Sequence, residues 1–428
     1  MSVDSLKIQD CSRASYCYTR YYNDGQDIIY ELGCDENLVC QANGCTISGL
    51  TRTCCCNSEN SCITNGASDP IEYSFPAEFK FGVATSSYQI EGAYKAGKKG
   101  PSIWDVYTHK PNKIRNNDTG DIACDSYNNY QRDVEMLKEL GVKEYRFSIS
   151  WPRIFPDGTN ATVNEDGVEY YNKLINALLD AKIDPIVTMF HWDLPQYLQD
   201  MGGFLDSSVA DRFGAYADFL FSKYGDRVKK WITLNEPLSF VLFAACGNTF
   251  AHAPGHFLDH CEWSMYVVAH NLLKCHMKAA RIYKEKYQAQ QNGIIGITLA
   301  GAWYYPKDPN NEEDVAAARR SFQFIFGWFA NPIFVGDYPD FMKETIYNNS
   351  IDYQMRVRSR LPEFTEEEIN NLKGSADFLG VNYYMAFDSR ALTPKEQESI
   401  LGNYKLSTDW RTFNDYRESW RLWVYFYE

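Results

Sequence analysis

The stretch Thr233-Leu234-Asn235-Glu236-Pro237 sets a carboxylate beside a carboxamide and closes both off with a proline. A carboxyl can give and take a proton, and an amide next to it can donate to and accept from a polar ligand. The preceding run, Val228-Lys229-Lys230-Trp231-Ile232, is β-prone, and proline cannot continue a sheet ladder. Glu236 is therefore expected where a strand ends, the position of an active-site lip. A solvated strand-end glutamate has the same local signature, so the elements around it must decide. Further groups with chemical potential fall at the ends of other β-prone runs: Gln89, Arg146 with Trp151, His191 with Trp192, and Asn382 with Tyr384.

The elements that would position these groups alternate. Strands are expected over Phe81–Thr85, Glu144–Ile149, Asp184–Met189, Lys230–Leu234, Ile294–Leu299 and Phe378–Asn382. Helical patterns lie between them at Asp125–Leu140, Asn164–Ala181, Asp206–Tyr224, Glu262–Tyr287 and Asp314–Phe329. The first of these helices is followed by Gly141, a stop signal. Strands alternating with helices imply parallel βα units, in either a (β/α)8 barrel or a doubly wound sheet. A dinucleotide-binding sheet calls for G-x-G-x-x-G after its first strand, and the chain has none there. A barrel places its chemistry at the carboxyl ends of several strands. The repeated polar and aromatic strand ends favour the α/β class with a (β/α)8 barrel.

Six segments in this order resemble glycoside hydrolase family one, the β-glucosidase family that also includes the klotho proteins. They are Phe81-Gly82-Val83-Ala84-Thr85-Ser86-Ser87-Tyr88-Gln89-Ile90-Glu91-Gly92, Tyr145-Arg146-Phe147-Ser148-Ile149-Ser150-Trp151-Pro152-Arg153-Ile154, His191-Trp192-Asp193-Leu194-Pro195, Thr233-Leu234-Asn235-Glu236-Pro237, Ala253-Pro254-Gly255 and Gly380-Val381-Asn382-Tyr383-Tyr384. The resemblance runs from about residue 75 to about residue 390 and includes none of the first 65. It implies a retaining glycosidase in which Glu236 is the general acid/base, protonating the leaving oxygen and later deprotonating water. It implies sugar contacts from Gln89, His191, Trp192, Asn235 and Tyr384, with Arg146 and Asn382 supporting a carboxylate nucleophile. No metal or organic cofactor is implied, because carboxyls and water do the work. The substrate class is a β-glycoside. A klotho-like protein that binds a glycan or receptor without turnover is the alternative within the same family.

A retaining mechanism needs a second carboxylate roughly 5 Å from the first. In the family it lies in an Ile/Val-Thr-Glu-Asn-Gly segment on the seventh strand, and no such segment follows Tyr384. The last acids, Glu418 and Glu428, have other neighbours. The expectation is a barrel with about six of eight βα units, lacking the nucleophile, with open sheet edges.

The first 65 residues have a different character. Nine of the 13 cysteines lie before residue 70: Cys11, Cys17, Cys34, Cys40, Cys45, Cys54, Cys55, Cys56 and Cys62. No Cys-x-x-Cys pair and no histidine accompanies them, so a disulfide-stapled module is favoured over a metal site. Its Cys-rich end resembles that of three-finger domains, with a spacing one residue longer. We expect a module at 1–65 that serves a protein partner, a linker at 66–74 and the barrel at 75–428. Disulfides point to the secretory route, as do the sequons at Asn117, Asn160 and Asn348, although the N-terminus Met1-Ser2-Val3-Asp4 lacks a signal-peptide core. The net charge of −14 argues against nucleic acid as a partner, and no apolar run is long enough to predict a membrane-spanning helix.

Overall fold

The computed structural model describes residues 17–23, 28–34, 44–48, 51–56, 75–76, 78–245, 252–255, 260–400 and 409–416. The chain divides into two compact units, Met1–Phe79 and Lys80–Glu428. In the first, β1 (Cys17–Asn23), β2 (Ile28–Cys34), β3 (Gly44–Ser48) and β4 (Thr51–Cys56) form an antiparallel sheet in the order β2-β1-β4-β3. The expected disulfides, the three-finger likeness and the linker at 66–74 rest on side chains and segments outside the described residues.

The second unit is built on a seven-stranded sheet. Its strands are β5 (Gly82–Ala84), β6 (Glu144–Ser148), β7 (Asp184–Phe190), β8 (Lys230–Asn235), β9 (Ile294–Pro306), β10 (Phe378–Ala391) and β11 (Thr412–Tyr416), and they lie side by side in chain order. Pairing from β5 to β10 is parallel throughout, the signature of successive right-handed βα crossovers. Helices α1 (Ser126–Leu140), α2 (Glu165–Asp180), α3 (Val209–Tyr224), α4 (Cys261–Ile282) and α5 (Glu312–Phe322) connect consecutive strands from β5 to β10.

These helices form where the apolar period is helical. In α2 the buried set Val168, Tyr171, Leu174, Ile175 and Leu178 recurs at three- and four-residue steps, and Glu165 and Asp166 sit in its first turn, where the helix dipole favours negative charge. α1 ends at Gly141 in the left-handed conformation, φ 71°. The middle strands are covered on both faces, so β8 reads as an almost continuous buried run.

Two features differ from the expectation. β9 and β10 run on to Pro306 and Ala391, paired across a bulge between Tyr383 and Ala386. The sheet also gains β11, which pairs antiparallel with Phe387–Ala391 of β10. What holds β11 in place lies just before it. Asp409 is fully buried and takes bonds from both terminal nitrogens of Arg360, from the Tyr266 hydroxyl and from Asn349. The sheet is a (β/α)8-type barrel that is incomplete among the described residues. β5 has β6 as its only neighbour, and Phe378–Ala386 of β10 pairs with β9 alone.

Candidate active site

Glu236 follows the last residue of β8. Pro237 starts a one-turn helix, Pro237–Phe240, a position that suits its fixed φ. A proline also disfavours the right-handed helical conformation in the residue before it. Glu236 takes the left-handed region instead, with φ 44° and ψ 60°. Trp192, two residues past β7, has φ 76°. Strained backbone at two neighbouring strand ends costs about 1–3 kcal/mol each and is the kind of strain found at functional sites.

The side chains at these ends form one connected network. The buried carboxyl of Glu236 accepts from Asn382 Nδ2 through Oε1 at 2.6 Å and from Ser239 Oγ through Oε2 at 2.7 Å. Asn235 Oδ1 accepts from Arg146 Nη2 at 2.5 Å and from Asn382 Nδ2 at 3.2 Å. With its oxygen so engaged, the Asn235 amide nitrogen faces His191 Nε2 at 3.0 Å and donates to it. Trp192 Nε1 donates to the Asn235 carbonyl at 2.7 Å, which fixes the indole beside the site.

This pattern assigns the state of His191. Nε2 accepts, so the ring proton sits on Nδ1. Burial, aided by the positive charge of Arg146, lowers the His191 pKa to about 3, and the ring stays neutral. Nδ1–H has no acceptor among the described residues, and one N–H of Asn235 is likewise left over. Such donors suit the hydroxyls of a sugar. Arg146 donates from Nε to Thr188 Oγ1 at 2.8 Å. Burial lowers its pKa to about 10, against the opposing pull of Glu236 and Tyr384. The Tyr384 phenol is pushed up, by burial first and then by the charge of Glu236, although the residue is 64% exposed.

The structure thus unites Arg146, His191, Trp192, Asn235, Glu236 and Asn382. Tyr384 shares their field without a hydrogen bond to them, and Gln89 stands apart. Gln89 is exposed on the one-turn helix Ser87–Ile90, and its carbonyl accepts from Ser86 Oγ at 2.7 Å. Sequence reasoning missed Ser239, Thr188 and Thr298, whose carbonyl accepts from the Glu236 amide at 2.8 Å. Ser239 had a usable signal, because it lies three residues after Glu236 at the start of a helix and so on the same face. Among the described residues no group of acids, histidines or cysteines could hold a metal ion.

A sequence model described as glycosyl hydrolase family 1 matches residues 71–420. The chain belongs to this family. Within glycosyl hydrolase family 1, it is 48% identical over 323 residues to rat lactase/phlorizin hydrolase, covering 75% of this chain and 16% of that one. It is 48% identical to furostanol glycoside 26-O-β-glucosidase of Hellenia speciosa, covering 73% and 55% of the two. Human cytosolic β-glucosidase is 44% identical, with 72% and 66% covered. Among solved structures, aphid myrosinase superimposes with a TM-score of 0.75 at 40% identity, covering 81% of this chain and 73% of that one. A family 1 β-glucosidase from Humicola insolens in complex with glucose gives a TM-score of 0.72 at 38% identity, covering 80% and 69%. The chain therefore spans only 16% to 55% of the length of the lactase/phlorizin hydrolase and Hellenia relatives. No described helix is long and apolar enough to cross a membrane.

Proposed function

We propose that the barrel unit acts on the O-glycosidic bond of β-glycosides, with β-glucosides as the first substrate class, and that Glu236 is its general acid/base. One observation carries this reading. The Glu236 carboxyl is held at a strand end by Asn382 and Ser239, beside an Asn235–His191 pair with donors to spare. A carboxyl fixed by neutral donors keeps its oxygen in place for proton transfer, and the spare donors meet a ring hydroxyl. Relatives named β-glucosidase support the substrate class. Hydrolysis of 4-nitrophenyl β-glucoside by the full chain tests the reading. Glu236→Gln keeps the shape and removes the proton, and is expected to lower the rate by about 10²–10⁴-fold. Equal rates for the two proteins would sink it.

Glycan binding without turnover is the second reading. The observation favouring it is that Arg146 bonds only neutral oxygens among the described residues. The same assay separates the two. For the rest of the chain, the reading is a Cys-rich module at 1–65 that binds a protein partner, a linker at 66–74, and passage through the secretory route. Exposed Asn117 and Asn160 and a disulfide at Cys261 support that route.

A further inference from the structure

We propose that a cleft beside the first turn of α4 is a second carbohydrate-binding site, which takes a neutral oligosaccharide by its ring faces and hydroxyls. The cleft holds about 750 Å³, and Trp263, Arg356, Arg358, Ser359, Pro362 and Glu363 are among its lining residues. None of the residues joined at the strand ends lines it. The site stands on the cleft alone; only the choice of a β-linked glucan as the first probe rests on the proposed function.

The cleft is built on a fixed base. Residues 355–365 form neither helix nor strand. Arg360 ties that stretch to the interior. Its guanidinium is buried against Asp409 at 2.7 Å, and its Nη1 also donates to the carbonyl of Glu262 on α4 at 2.8 Å. The Arg360 amide donates to Ser350 Oγ at 3.1 Å. Arg356 is oriented by two bonds, from Nε to Gln354 Oε1 at 2.7 Å and from Nη2 to Glu262 Oε1 at 3.3 Å. A loop held in this way presents its side chains already ordered, so a ligand has less entropy to overcome.

Two charged side chains of the cleft are left over. Exposed Arg358 makes no hydrogen bond or ion pair with any described residue, so its five N–H groups are open to a ligand. The Glu363 carboxylate is likewise open, with acceptors alone, and the two are not paired with each other. Arg356 keeps both N–H groups of Nη1. The balance of charge decides the ligand class. Arg356, Arg358 and Arg360 are matched in number by Glu262, Asp409 and Glu363, on a chain of net charge −14. An anion gains from Arg358 and loses against Glu363. A neutral polyol suits both, because a hydroxyl accepts from the guanidinium and donates to the carboxylate.

Trp263 supplies a platform for the C–H face of a sugar ring. It is half-buried in the first turn of α4, with the His260 ring beside it at 6.1 Å. A second cavity of about 420 Å³ adjoins the first. Ser359, Leu361, Pro362 and Glu363 line both, and the second adds Tyr347, which is 52% exposed. One aromatic side chain in each of two adjoining cavities suits a chain of sugars rather than a single ring.

The test is titration calorimetry on the full chain carrying Glu236→Gln, so that no probe is consumed. The probes are cellohexaose, maltohexaose as the α-linked comparison and sucrose octasulfate as the anionic one. Cellohexaose should bind, and sucrose octasulfate should not. Adding Trp263→Ala should weaken cellohexaose binding about tenfold, through loss of the stacking face. Adding Arg358→Ala should weaken it several-fold while the melting temperature stays in place, since an exposed side chain without partners contributes little to the fold. Adding Asn235→Ala, at the strand ends, should leave this binding intact. Cellohexaose binding that is lost in Asn235→Ala and unchanged in both cleft variants belongs to the strand ends and overturns the proposal. So does binding of sucrose octasulfate alone, or of no probe at all. Binding of maltohexaose and not cellohexaose, lost in both cleft variants, upholds a carbohydrate site and breaks its link to β-glycosides. Should Glu236→Gln hydrolyse 4-nitrophenyl β-glucoside as fast as the wild type while the cleft still binds cellohexaose, the hydrolase reading falls and the second site stands.

Discussion

The middle of the sheet and its two margins are made of similar residues in very different settings. β7 and β8 have a parallel partner on each side, and their apolar side chains are sealed by helices. β5 has one partner, with Phe81 and Val83 in solvent. On β10 the alternating residues Leu379, Val381 and Tyr383 face away from Asn382 and are also exposed. The polar strand ends follow the same division. Of those at the middle, Asn235 and His191 are bonded to each other, and the Glu236 carboxyl is held by Ser239 and Asn382. Those at the margins, Gln89 and Tyr384, are exposed and stand outside that network. Asn382 crosses the division: its stretch of β10 pairs with β9 alone among the described residues, yet it bonds both Asn235 and Glu236.

Two leucines make the sharpest test of this contrast. Leu234 on β8 is 1% exposed and Leu379 on β10 is 37% exposed. Leu234→Ala removes fully packed methyl groups and is expected to cost about 2–5 kcal/mol, read from chemical denaturation. Leu379→Ala leaves a side chain's worth of space already open to water, and should cost no more than about 1 kcal/mol. Equal losses would mean that the outer face of β10 is covered in solution.

Most of the middle was legible in the sequence. Each of the strands β5 to β10 begins within a residue of its expected start, because β-prone runs there are bounded by turn residues and helical periods. Glu236 and Asn235 were legible because a proline ends their strand, and Arg146 and Asn382 because they lie in segments that resemble the family, although the structure places both inside their strands, β6 and β10. The long ends of β9 and β10 were not. Their residues are mixed in type, and they stay extended only because they pair with each other beyond the bulge. β11 was missed because its place depends on Asp409 meeting Arg360, 49 residues away in sequence. Thr188 was missed because a supporting hydroxyl has no pattern of its own; only the atom it bonds, Arg146 Nε, gives it a role.

Acid should expose the same division. His276 on α4 is buried behind β8, with Nδ1 at 2.7 Å from Thr233 Oγ1 and Nε2 at 3.0 Å from Ser375 Oγ. Burial, with some help from Lys284, lowers its pKa to about 3. An unfolded histidine titrates near 6.5, so the folded chain excludes a proton that the unfolded chain accepts. The stability this group contributes is present above pH 6.5 and is lost as the pH falls through 3. Between pH 7 and pH 4 its share of the loss is on the order of 2–3 kcal/mol. Melting temperatures across that range should fall for the wild type and fall less steeply for His276→Gln. Identical slopes would show that the proton is taken up elsewhere, with His191 the next group to test.

The smallest effect is expected at Gln89, where the margin carries a residue placed among the sugar contacts. Its only described side-chain hydrogen bond is from Ser86 Oγ to its carbonyl, on an exposed turn. Removing an exposed amide of this kind changes stability by no more than about 0.5 kcal/mol. Gln89→Ala should therefore melt with the wild type. Asn235→Ala, which strips acceptors from Arg146 and Asn382 and a donor from His191 at a buried position, should lose about 1–3 kcal/mol. If Gln89 grips a sugar, its replacement raises KM for an aryl β-glucoside while the melting curve stays in place. A shift in melting temperature as large as that of Asn235→Ala would instead place Gln89 in the fold of the β5 margin and end its role as a ligand contact.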